Sequence, residues 1–256
     1  MEEIFNRENL RTKTGEEYMK NVLVIGASGD IGNAIVKELA KEEYGFILHY
    51  HQNKQSIEKL LGQLDEAAVL QVIQADLTTD EGAVSLYEQI IYTVHAVVFV
   101  SGTAQHGLFQ YVTEETMEDM LTLHVKSPWI LTQKLLPAMI KRRSGKIIFI
   151  TSIWGNTGAS NEVIYSSVKG AQNSFVKALA KEVGPNGISV NAVSPGFIDT
   201  KMNQHLLEDE REAIISNIPA NRIGLPDEIA HTVSFLMDEK SDYILGEIIQ
   251  ISGGWY

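Results

Sequence analysis

A doubly wound α/β domain on a seven-stranded parallel sheet is the architecture this sequence predicts, on three observations. Short β-branched runs alternate with longer amphipathic stretches, as parallel strands joined by crossover helices require. The first run leads straight into a glycine-rich turn and then a helical pattern. No composition break, Pro/Gly/Ser-rich linker or internal repeat divides the 256 residues, so a single domain is expected.

The elements follow in order. Residues 1–18 are polar and lack sustained periodicity, and are read as an upstream extension or cloning remnant, with Met19 as the start of the domain at 19–256, the alternative being a short helix docked on the domain. Apolar runs predict strands at 22–25, 46–50, 70–74, 96–100, 146–151, 189–193 and 248–251. Amphipathic periodicity predicts helices at 31–43, 54–66, 81–92, 114–126, 128–143, 162–183 and 227–237. Pro128 suits a helix start or kink, and Gly145 and Gly184 suit helix ends.

Composition narrows the chemistry. The 21 basic and 33 acidic side chains leave a net charge of −12, which argues against nonspecific binding to nucleic acid or anionic membrane. The absence of Cys removes disulfides, thiolate metal sites and cysteine nucleophiles, and fits a cytoplasmic protein. No apolar run approaches the ~20 residues of a membrane span. The seven His residues form no helical pair with ligand spacing, so no metal is expected. A serine hydrolase would need a glycine elbow, and Thr151-Ser152-Ile153-Trp154-Gly155 lacks the glycine before the serine.

Two constellations carry the functional reading. In Gly26-Ala27-Ser28-Gly29-Asp30-Ile31-Gly32, between strand and helix, backbone amides can approach a diphosphate at the positive end of the helix. Gly26 makes the tight turn, Ser28 and Gly29 line the phosphates, and Gly32 lets the helix pack close to the strand. Asp30 is the awkward member, because an acid repels a diphosphate unless it points to solvent. The second strand ends in His51, Gln52 and Asn53, with no acid to hold a ribose 2′-hydroxyl, which favours NADP(H) over NAD(H). Alternatively, these three form a solvated turn. Asp76 can accept from an adenine amino group or cap a helix, and Ser101-Gly102 can let the backbone pass close to a ribose.

The second constellation is Tyr165 and Lys169, four apart and therefore on one helical face. A nearby ammonium is expected to lower the phenol's pKa from its usual ~10 and so to ease proton transfer. Ser152, at the end of the fifth predicted strand, can hydrogen-bond a carbonyl oxygen there. A non-catalytic dinucleotide-binding sensor would keep the glycine turn but has no use for Ser152, Tyr165 and Lys169 in register.

These linked motifs, with Asn191-Ala192-Val193-Ser194-Pro195-Gly196 and the terminal Ser252-Gly253-Gly254, resemble the short-chain dehydrogenase/reductase family over essentially residues 19–256. The resemblance implies a single Rossmann-type domain, an NADP-dependent oxidoreductase acting on a carbonyl/alcohol pair, and Ser152, Tyr165 and Lys169 as the catalytic trio. It adds Ile31, Leu77, Pro195, Gly196, Ile198 and Thr200 to the cofactor residues and implies a homotetramer. The sequence departs from the family pattern in three places. Ile25 and Asp30 replace the usual Thr and middle Gly of the turn. Phe99-Val100-Ser101-Gly102 replaces N-N-A-G. His124 replaces the Asn that completes the catalytic set, either ordering a relay water or lying buried against backbone. The string from Thr151 to Tyr165 is most similar to the elongation factor P 5-aminopentanone reductases, near relatives of the 3-oxoacyl-[acyl-carrier-protein] reductases. That similarity implies a protein-borne substrate on elongation factor P or on acyl carrier protein. A 5-aminopentanone group carries an ammonium, for which Trp154 and Glu162 are the candidate contacts, the alternatives being a core or interface Trp and a helix-capping Glu.

Overall fold

The computed structural model describes residues 19–204 and 206–255, so the extension read at residues 1–18 lies outside the described residues. Seven strands form one parallel sheet: β1 (Lys20–Ile25), β2 (Tyr44–Tyr50), β3 (Val69–Gln74), β4 (Ala96–Phe99), β5 (Gly145–Ile150), β6 (Ile188–Pro195) and β7 (Ile248–Ile251). Their order is β3-β2-β1-β4-β5-β6-β7. Register puts Ile25 beside both His49 and Phe99, so the carboxyl ends of β2, β1 and β4 finish nearly level. The order reverses between β1 and β4, the switch point where such sheets open a crevice.

The helices are α1 (Asp30–Leu39), α2 (Lys54–Leu61), α3 (Gly82–Gln89), α4 (Glu114–Leu121), α5 (Ser127–Arg142), α6 (Trp154–Thr157), α7 (Val163–Val183), α8 (Glu208–Ser216) and α9 (Pro226–Met237). One sheet face buries Leu23, Val97, Ile147 and Val190 against Leu131 and Leu135 of α5 and Val176 of α7. The other buries Val22, Val24 and Val98 against Ile35 of α1 and Val233 of α9. Burial on both faces explains why the strands read as continuous apolar runs rather than alternating ones.

Most predicted strands lie within one or two residues of the observed ones, whereas several predicted helices end early. The stretch 54–66 stops at Leu61, and 81–92 reduces to Gly82–Gln89. Residues 114–126 are not one α-helix, because Thr122–Lys126 form a π-helical turn that leads into α5 with Pro128 in its first turn. Gly145 opens β5 rather than ending a helix; Arg143, in the left-handed region at φ 54°, makes that cap. Gly184 does follow α7. Helix α8 escaped the periodicity reading because it buries no residue and so carries no apolar stripe.

Candidate active site

The carboxyl ends of β1, β4, β5 and β6 open into one cleft of about 350 Å³, lined by the glycine turn, Ser101, Gly102, His124, Ser152, Tyr165, Lys169 and the segment after β6. Gly26 sits at φ +97°, and a Cβ there would lie 2.6 Å from the Ser101 backbone nitrogen, so only glycine fits between β1 and the loop after β4. A Cβ on Gly32 would stand 2.3 Å from the Gly26 carbonyl oxygen, the close helix–strand packing expected of it. The Ser56 hydroxyl donates to the Ser28 carbonyl at 2.8 Å and ties the turn to α2.

The other end of the cleft is built on β5 and α7. Ser152 follows β5 and is buried, and its hydroxyl accepts from the Trp154 backbone N–H at 3.2 Å. Lys169 is buried too, and its ammonium donates to the Ile150 carbonyl at 2.9 Å while lying 5.6 Å from the Tyr165 ring centroid. Burial acts on the pair against the expectation from charge. The Tyr165 phenol is pushed up to about 12, with the Ser152 hydroxyl drawing it partly back, and Lys169 is pushed down to about 7. Desolvation dominates, with the Glu162 carboxylate adding to it, so the expected lowering of the phenol does not occur and Tyr165 is held protonated.

His124 lies within the π-helical turn and packs edge-on against Tyr165, with ring centroids 5.9 Å apart. Its Nε2 lies 3.0 Å from the Thr103 carbonyl and 3.3 Å from the Thr103 backbone N–H, so Thr103 can meet it as acceptor or as donor, and Nδ1 has no protein partner. Burial, reinforced by Lys169, pushes its pKa down to about 3, so the imidazole is neutral at ordinary pH. Both readings of this residue find a geometric counterpart: one nitrogen is bonded to backbone, and the ring lines the cleft.

Of the predicted cofactor residues, Ser28, Gly29, Ile31, Gly32, Asn53, Ser101, Gly102, Pro195, Gly196, Ile198 and Thr200 line the cleft with the trio. His51, Gln52, Asp76 and Leu77 do not, and Gly26 underlies the turn instead. The Leu77 side chain is core and its carbonyl accepts from the Ser127 hydroxyl at 2.8 Å, so only its backbone N–H could serve a cofactor. Asn53 caps α2 by accepting from the Ser56 amide at 3.1 Å. The turn at 51–53 is acid-free in sequence only: Asp76 from the next strand end places Oδ2 3.4 Å from His51 Nε2, while its Oδ1 accepts from Thr78. Trp154 and Glu162 stand beside the cleft. Trp154 meets Trp255 edge-to-face at 4.9 Å, and Glu162 lies 3.6 Å from His106 with the Trp154 side chain as a further partner. Burial pushes the Glu162 carboxyl up. Lys201, Met202 and Asn203 also line the cleft but escaped sequence reasoning, which stopped at Thr200; the short turn they form has no periodic signature.

Comparison with known proteins places this geometry. The family described as enoyl-(acyl carrier protein) reductase matches residues 26–256. The chain belongs to the short-chain dehydrogenase/reductase family. Within this family of oxidoreductases it is 45% identical over 239 residues to the uncharacterized oxidoreductase YmfI of Bacillus subtilis, covering 93% of this chain and 99% of the relative. It is 32% identical over 241 residues to the 3-oxoacyl-[acyl-carrier-protein] reductase of Staphylococcus epidermidis, covering 93% and 99% of the two chains. Among solved structures, a candidate NAD(P)-dependent gluconate 5-dehydrogenase from Beutenbergia cavernae, with NADP at low occupancy, superposes with a TM-score of 0.86 at 25% identity. The match covers 92% of this chain and 96% of that one, so the short-chain dehydrogenase/reductase fold extends over nearly the whole molecule. No helix among the described residues is long and apolar enough to cross a membrane.

Proposed function

We propose that the protein is an NADP(H)-dependent ketone reductase whose substrate is the 5-aminopentanone group on a modified lysine of elongation factor P, reduced to 5-aminopentanol. The glycine turn, packed against Ser101 and the start of α1 where only glycine fits, suits a dinucleotide, with Ser28 and Gly29 at its diphosphate and Lys169 and Thr200 toward its nicotinamide. When bound, the nicotinamide supplies a hydride to the carbonyl carbon. Ser152 orients the carbonyl oxygen, and Tyr165 gives that oxygen its proton, completing the alcohol. Lys169 stands close enough to stabilise the phenolate left behind. The preference for the 2′-phosphate is supported by the donors at 51–53 and by Asp76 being engaged with Thr78 and His51.

The substrate assignment is carried by one observation. A half-buried carboxylate, Glu162, stands beside paired indoles one turn before Tyr165, and its partners, an indole N–H and an imidazole, are not permanent cations. Such a group favours an ammonium a few carbons from the reacting carbonyl. Glu162→Gln is expected to cut kcat/KM for the amino-ketone about tenfold more than for an uncharged ketone of similar size, a differential of about 1.4 kcal/mol. Equal losses would overturn the assignment. The second reading, 3-oxoacyl-[acyl-carrier-protein] reduction, is favoured by the relative from Staphylococcus epidermidis. NADPH oxidation measured against ketone-modified elongation factor P and a 3-oxoacyl carrier substrate, side by side, separates the two. A cytoplasmic homotetramer belongs to this reading, by resemblance to the family.

A further inference from the structure

Asp30 is the residue the sequence places awkwardly, an acid in a turn shaped for a diphosphate. The fold gives it a partner 171 positions away. Its Oδ2 accepts from the Lys201 backbone N–H at 2.6 Å, and its Oδ1 lies 4.0 Å from the Lys201 ammonium. Lys201 opens the 3-10 turn Lys201–Asn203, and Asp30 and that turn line the same cleft from its two sides. On the far side the segment is braced internally. Asn203 donates through Nδ2 to the Ile198 carbonyl at 2.8 Å, and Arg211 of α8 donates to Asp199 at 3.1 Å. Residues 200–203 therefore form a short strap, anchored at one end by its own element and across the cleft by Asp30.

Electrostatics explains why the tie involves this lysine. An acid in the first turn of α1 suits the helix dipole, yet it opposes a diphosphate arriving at the same amides. The Lys201 ammonium, on the lining of the same cleft, offsets that opposition. We propose that Asp30 is a positioning residue that holds the strap across the diphosphate end of the cleft, and that Lys201 thereby becomes a counter-cation for the cofactor's diphosphate. Cofactor release then requires this tie to break. The inference rests on the dinucleotide reading of the cleft and is independent of the ketone.

Hydrogen–deuterium exchange on the protein without added nucleotide reads the tie directly. Asp30→Gly is expected to raise exchange across residues 200–203, and Asp30→Asn, whose amide oxygen still accepts from Lys201, to restore protection. Stopped-flow NADPH fluorescence reads the consequence. Asp30→Gly is expected to release NADPH about tenfold faster than wild type and Asp30→Asn within about threefold, the scale of one charge-assisted hydrogen bond. Lys201→Gln is expected to weaken NADPH several-fold and to flatten the salt dependence of binding. Unchanged exchange in Asp30→Gly, or slower release in both Asp30 variants, would overturn the proposal, the latter showing that the acid only repels. A wild-type protein that binds no dinucleotide would overturn both the cofactor reading and the role of Lys201, whatever the exchange data show for the strap.

Discussion

The pair Tyr165 and Lys169 shows how burial reshapes a site that charge alone would tune differently. A phenol pushed up to about 12 cannot drift into its phenolate, and a lysine brought down to about 7 titrates near neutrality. Tyr165→Phe removes the transferable proton and little else, so turnover should vanish while NADPH still binds, as intrinsic fluorescence would report; near-normal turnover would refute the assignment. His124 makes a finer test. A relay through its unpaired, buried Nδ1 would require a water to be admitted beside Tyr165, and Asn offers a comparable polar group whereas Leu offers none. His124→Asn should keep kcat within about tenfold and His124→Leu should lose at least a hundredfold, on the scale of a general-acid relay. Equal kcat in the two variants would reduce the histidine to a packing role.

Elements, rather than residues, decide how the cleft is assembled, and the junction of β1 with the loop after β4 is the tightest point. Gly26→Ala forces a methyl group to 2.6 Å from the Ser101 backbone and strains a positive φ, so thermal unfolding should show a loss of about 1–3 kcal/mol. NADPH affinity should fall with it. The glycine turn was legible in the sequence because a strand, the turn and a helix follow one another without interruption, whereas its contact with Ser101 was not, since the two lie 75 residues apart. The sheet was legible for the same kind of reason, since strands buried on both faces must be apolar throughout. What stayed hidden depends on distance in space. Asp76 reaches His51 only because β2 and β3 end side by side, and Trp255 reaches Trp154 across a hundred intervening residues. The π-helical turn was unreadable because it keeps the composition of a helix while changing its pitch.

At the scale of the whole molecule, two buried histidines among the described residues are held neutral. His49, at the end of β2, accepts from the Gly26 amide at 3.2 Å and reaches the Ala75 carbonyl at 3.1 Å, and burial pushes its pKa down to about 4. His124 is lowered further. Between pH 6.5 and 4 the unfolded chain binds protons that these rings refuse, so stability is full above pH 6.5 and is lost on acidification. The loss traceable to His49 is on the order of 3 kcal/mol by pH 4. Denaturant midpoints measured between pH 7 and 4.5 should fall less steeply in His49→Gln and His124→Asn than in wild type, and parallel slopes would contradict the assignment. The strand order carries a different consequence. Once β1 to β4 have left the ribosome they already make a contiguous half-sheet, β3-β2-β1-β4, and β5, β6 and β7 are then synthesised in the order in which they join its open edge. Each late strand meets a finished neighbour, so assembly during translation needs no strand to be inserted between two others. The glycine turn exists early in this schedule, but Tyr165 and the strap at 200–203 emerge late. A nascent chain can thus present a phosphate cradle long before it can move a proton.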